Sequence, residues 1–215
     1  MARTEHRDAD DPALTPAESL ALIEATQHDT RRALGFSDWP FYLIWGLAWA
    51  VAFTVTHLVT AVDSLPLARI PEAVVGFVWL VCVGGAVVAT GVVIARFSRG
   101  VAGTSARIGK RLAVCWSAAF MAAGQLGALL GLEGYQFGAL FVFVVALLYL
   151  GQGAAFLDDL QLGVGVWLLV VDTVALALGP NWFNLVLAVF GAGAFLVVAA
   201  FGRRSEQRAG QPAGQ

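Results

Sequence analysis

The chain repeatedly runs for about 20 residues without a charge, the length a helix needs to cross about 30 Å of hydrocarbon. No other feature restricts the fold as much. Of 215 residues, 59% are hydrophobic and 13% charged, against about 25% charged in an average soluble domain. The expected fold class is all-α, a polytopic membrane helix bundle occupying most of the chain. Six apolar segments can be drawn, at about 41–61, 73–95, 112–130, 136–157, 160–178 and 182–201. Their spacing suggests three helical hairpins. Pro40 and Pro71 stand at first-turn positions, where a missing N–H costs little. Gly179-Pro180-Asn181 supplies a stop and restart between the last two segments. Leu157-Asp158-Asp159-Leu160 must turn nearly as sharply. If it does not, segments four and five fuse and five spans remain.

Orientation follows from Lys and Arg. The loop after the second segment, RFSRGVAGTSARIGKR, carries Arg96, Arg99, Arg107, Lys110 and Arg111 and no acid. Arg31 and Arg32 precede the first segment, and Arg203, Arg204 and Arg208 follow the last. With an even number of spans these regions share one side, expected to be the cytoplasm. The opposite side has Arg69 as its only base. The expected location is the inner (plasma) membrane, with both termini cytoplasmic. The opening MARTEHRDADDPA is acidic and lacks the apolar core of a signal peptide.

Three parts are expected: a cytoplasmic segment 1–35, disordered over 1–14 and helical over 15–34; a transmembrane domain 36–204; and a disordered tail 205–215. Thr15-Pro16-Ala17-Glu18 reads as a capping box, with Thr15 as N-cap and Glu18 reaching back. Leu20, Ile23 and Leu34 give this helix a partial apolar face. It would lie on the membrane surface or the inner loops, or dock a partner or a second copy.

Soluble chemistry finds little support. GTSARIGKR has the wrong spacing for a phosphate loop and Arg111 where Ser or Thr should hold magnesium. It reads as a solvated basic loop able to touch anionic headgroups. His6, His28 and His57 are scattered, so no metal-ligand spacing exists. No G-x-S-x-G turn occurs. The expectation is no enzyme, no cofactor, no metal and no nucleic-acid partner. The partners expected are the lipid bilayer and, beyond it, a homodimer mate or another membrane or cytoplasmic protein. Cys82 and Cys115 differ in depth by roughly 10 Å at 1.5 Å per residue, so both are expected to be free thiols. Ala119, Ala123, Gly127 and Gly131 recur every four residues, a ridge that lets helices in lipid approach closely. Segments one and five, and two and six, share a faint likeness compatible with internal duplication.

Polar residues inside the spans need a reason. His57, Gln125, Asp172 and Asn184 come from four segments yet fall roughly 4–12 Å to the outer side of their helix centres. Gly165, Asp172 and Gly179 share one stripe, as do Asn184, Ala188 and Gly191, and Ala118, Ala122 and Gln125. Polar groups flanked by small residues suit helix–helix interfaces. A mid-helix Asp costs about 2.5–3.5 kcal/mol on the insertion scale, while Leu and Val return about 0.3–0.6 each. The eleven Leu and Val residues between 160 and 178 therefore still drive insertion. Asp172 is either a functional acid, as intramembrane acids are by default, or an Asp held by Gln125, Asn184 or Thr173 for packing alone.

TPAESLALIEATQHDTRRALG followed by YLIWGLAWAVAF resembles a group of uncharacterised actinobacterial integral membrane proteins. The likeness covers most of the chain and implies a bacterial multi-span protein; it brings no activity and no site residues. Two functional readings follow. One is a small transporter or transporter subunit with a polar pocket around Asp172. The other is a non-transporting sensor, regulatory anchor or scaffold acting through its N-terminal helix.

Overall fold

The computed structural model describes residues 15–22, 38–60, 71–97 and 104–209. The chain before Asp38 and the chain from Asp38 onward are separate units. In the first, residues 16–22 form helix α1. Its start is locked reciprocally: Thr15 N–H and Oγ1–H both donate to Glu18 Oε2 at 2.8 Å, and Glu18 N–H donates to Thr15 Oγ1 at 3.3 Å. Residues 23–34 of the expected helix lie outside the described residues, as do the expected disordered segment 1–14 and most of the tail.

The second unit contains α2 (Trp39–Thr60), α3 (Glu72–Phe97), α4 (Thr104–Leu129), α5 (Gly134–Phe156), α6 (Asp159–Leu178) and α7 (Pro180–Val186). A single π-helical turn, Leu187–Gly191, joins α7 to α8 (Ala192–Ala209). Six helices are long and apolar enough to cross a membrane, the sixth running from α7 into α8. This is an all-α helical bundle with the architecture of a multi-pass membrane protein.

The acidic pair does break segments four and five. Leu157 adopts the left-handed conformation at φ 53°, and Asp158 N–H donates back to Gly153 O at 2.9 Å, closing the end of α5. Asp158 then caps α6, its Oδ1 accepting from the Leu160 and Gln161 N–H groups at 3.0 Å. The connection is thus two residues long, and the five-span alternative falls. Between α6 and α7, Gly179 takes φ 83° and ψ −176°, a conformation open essentially to glycine alone, and Pro180 follows at the first helical position.

The core lies among α2, α5, α6, α7 and α8. Phe53, Leu168, Phe183, Leu187 and Phe195 are its largest fully buried side chains. Close approach comes from glycine: a Cβ on Gly165 would stand 2.7 Å from Leu150 N, and one on Gly46 2.9 Å from Leu196 Cδ2. The α3 helix leans on α2 through Trp79, whose Nε1 donates to Thr56 Oγ1 at 2.9 Å and whose ring meets Phe53 edge-on at 4.8 Å. The α4 helix leans on α5, with Phe120 stacked on Phe141 at 5.8 Å and Gly127 under Phe137. Ala123 and Gly127 are buried in this contact, so the expected small-residue ridge serves internal packing. The outward sides of α3 and α4 are largely apolar, with Leu80, Val88 and Met121 exposed, as suits surfaces that face lipid. Both cysteines are free.

Candidate functional site

On α6, Gly165 brings the backbone against Leu150 and Ala146 of α5. Asp172 follows seven residues later on the same stripe. That position carries the carboxyl into the core, where Asp172 is only 4% exposed. It lies roughly 5 Å from the helix centre toward the α7 end, at 1.5 Å per residue. Its buried Oδ1 has no hydrogen-bond partner. The neighbouring Thr173 turns its hydroxyl to Leu169 O at 2.8 Å and does not tie Asp172 down.

Asn184 sits on α7, next to Phe183, and is 7% exposed. Asp172 and Asn184 are the buried polar residues among the described ones, and they belong to elements that pack on each other. His57 is half-buried on α2, one turn beyond Phe53. The Phe53 ring packs on Phe183 at 6.4 Å, which draws the His57 end of α2 toward the start of α7. The His57 Nδ1 is buried and likewise has no partner. Two groups in this half of the bundle therefore hold unused hydrogen-bonding capacity.

Gln125 is placed apart. It is exposed on α4, as are Ala118 and Ala122. The stripe expected to form an interface thus faces outward, and the stripe one residue on, through Ala119, Ala123 and Gly127, faces α5. One residue is about 100° around a helix, and Gly127 lets Phe137 come close where Gln125 could not. No hydrogen bond joins any two of the four residues.

A second polar set lies at the opposite end, where the sequence already places Gln152 apart from the other four. Gln152 Nε2 on α5 and Gln161 Oε1 on α6 are buried without partners. They flank the close contact of Gly153 with Leu162. Tyr42 and Tyr149 pack nearby with centroids 6.1 Å apart. The legible signal was a glutamine on each side of the Leu157-Asp158 turn, Gln152 five residues before it and Gln161 three after it. Among the described residues no three His, Cys, Asp or Glu side chains are grouped to hold a metal.

The π turn is the remaining irregularity. It is closed by Ala192 N–H bonding Leu187 O, five residues back. The carbonyl of Phe190 instead accepts from Trp167 Nε1 of α6 at 3.0 Å. Gly191 lies against the Trp49 ring, a Cβ there falling 3.7 Å from it. Turns of this kind occur frequently at functional sites; here one follows directly on the segment bearing Asn184. No family model, curated protein or solved structure matches this chain at a significant level.

Proposed function

We propose that the chain is a small transporter, or a subunit of one, in a bacterial plasma membrane, and that Asp172 is the group on which its cargo or coupling ion acts. One observation carries the reading: a carboxyl group buried in a membrane bundle with an oxygen that nothing among the described residues satisfies. A lone buried carboxylate is several kcal/mol less favourable than a solvated one, so the site asks for a proton or a cation. Gain and loss of that partner changes the charge at the contact of α6 with α5 and α7, which supplies a reason for those helices to shift. His57 and Asn184, in the same half, are polar groups available to share such a partner. The base-rich side of the bundle is assigned to the cytoplasm, with both termini there.

The protein reconstituted in liposomes tests this. Infrared difference spectra between acidic and alkaline buffer should contain a carboxylic-acid carbonyl band absent from Asp172→Asn, and proton or sodium flux should fall at least about tenfold in that variant. Unchanged flux, together with no band assignable to Asp172, would leave the residue a packing feature. The sensor or anchor reading rests on α1, which belongs to a separate unit and exposes Leu20. Removal of residues 1–30 with flux unchanged but a bound protein lost would favour it.

A further inference from the structure

We propose that a groove between α6 and α8 holds one acyl chain of an amine-headed phospholipid from the leaflet on the Asp159 side. The groove is open laterally and has a volume of about 570 Å³, within the range of roughly 300–1,000 Å³ usual for small-molecule sites. It runs from Asp159 to Trp167 on α6 and from Val198 to Val189 on α8 and the π turn. Eight or nine residues of helix span about 12–14 Å, and one leaflet of hydrocarbon is about 15 Å deep. A transmembrane helix of a second copy would need a groove crossing both leaflets; this one stops near mid-depth.

The groove is also built. Its floor includes Gly163 and Gly193, and a Cβ at either would meet nothing within 4 Å. Glycine weakens a helix relative to alanine, yet no neighbouring helix uses the space at these positions. Gly153 and Gly165, on the other side of the hairpin, show the contrast: both are filled by a helix. The inner end is fixed by the Trp167 Nε1 to Phe190 O bond at 3.0 Å, and both of those residues line the wall. This bond between α6 and the π turn marks where the groove stops.

Charge selects the headgroup. Asp159 is the charged residue on the wall, at the first turn of α6, beside the capping carboxylate of Asp158. The pair attracts an ammonium, while Arg204, exposed seven residues beyond Val197 on the same stripe of α8, offers a cation for the phosphate that the same headgroup carries. Arg203 is directed elsewhere, its guanidinium lying over the Trp39 ring at 5.8 Å.

The test is native mass spectrometry of the full chain released from nanodiscs holding equal phosphatidylethanolamine and phosphatidylglycerol of identical tails. The wild type should retain one ethanolamine lipid. Gly163→Leu and Gly193→Leu enter open space and should each lower retention about tenfold. Gly76→Leu, equally unopposed on α3, should retain lipid as the wild type does. Asp159→Asn should keep a lipid and lose the headgroup preference. Retention unchanged in both groove variants, or lost equally in Gly76→Leu, overturns the proposal. So does equal binding of the glycerol lipid by the wild type, or a dimer that the groove variants dissociate with lipid unaffected. None of these outcomes depends on Asp172, so the transport reading stands or falls separately.

Discussion

A buried carboxyl oxygen without a partner has a consequence for stability that can be measured apart from transport. Replacing an unsatisfied buried polar group by an apolar one of similar size recovers its desolvation penalty, about 1–3 kcal/mol. Asp172→Leu should therefore be no less stable than the wild type, and up to about 2 kcal/mol more stable, in thermal or denaturant unfolding in detergent. A loss of that size would mean the carboxyl is held by bonds that this arrangement lacks. Stability gained with activity lost is the pattern expected of a residue kept for work. Asp172 was legible in the sequence because a charge in an apolar run is conspicuous and its stripe with Gly165 predicts the buried face. The exposure of Gln125 was not legible. Two small-residue stripes lie one residue apart on α4, and only the Phe137 contact with Gly127 decides which is covered.

The hairpin of α5 and α6 depends on glycine at sites the sequence does not distinguish from its other glycines. Gly165→Ala places a Cβ against the Leu150 backbone, which cannot yield as a flexible side chain would, and should destabilise by about 1–3 kcal/mol. Gly163→Ala, into open space, should instead stabilise by up to about 1 kcal/mol. Unfolding of the two variants side by side checks the contrast; equal effects would refute the close packing. Helix ends were legible where caps are local: Thr15 with Glu18, Leu157-Asp158, Gly179-Pro180. The π turn was not, because no local residue pattern marks Leu187–Gly191 and the side chain that bonds it, Trp167, comes from another helix. The α1 cap also titrates. Hydrogen bonds from the Thr15 N–H, and secondly from its hydroxyl, hold the Glu18 carboxyl below its ordinary pKa. A depressed carboxyl stabilises above its unfolded pKa and loses that contribution as pH falls through the folded value. The start of α1 should thus be intact at neutral pH and fray in acid. Thr15→Ala keeps the backbone N–H and removes the hydroxyl, so it should move the Glu18 titration, followed by carboxyl carbon shifts in the full chain, part of the way toward the ordinary range. A titration unchanged by that substitution would exclude the capping box.

At the scale of the molecule, the two ends of the membrane unit meet: Trp39 Nε1 donates to Glu206 Oε2 at 2.8 Å. They share that side with the first turns of α4, where Arg107, Lys110 and Arg111 are exposed, and with Arg203 and Arg204 on α8. The opposite side displays the short α4–α5 connection, with Glu133 exposed and Gly131 and Gly134 at φ 64° and 53°. Basic residues resist translocation while acids contribute little, so the side of Trp39 and Glu206 should face the cytoplasm. In a background with Cys82 and Cys115 replaced by Ala, single cysteines at Glu133 and Ser205 test this in intact cells. An impermeant maleimide should label Glu133→Cys directly, and Ser205→Cys only after permeabilisation. The reverse pattern would invert the bundle and put Asp172 in the cytoplasmic half, so that a proton or cation would reach it from within. Labelling of both from outside would contradict the fold itself, because three membrane-crossing helices, α5, α6 and α7 continuing into α8, separate Glu133 from Ser205 and must leave them on opposite sides.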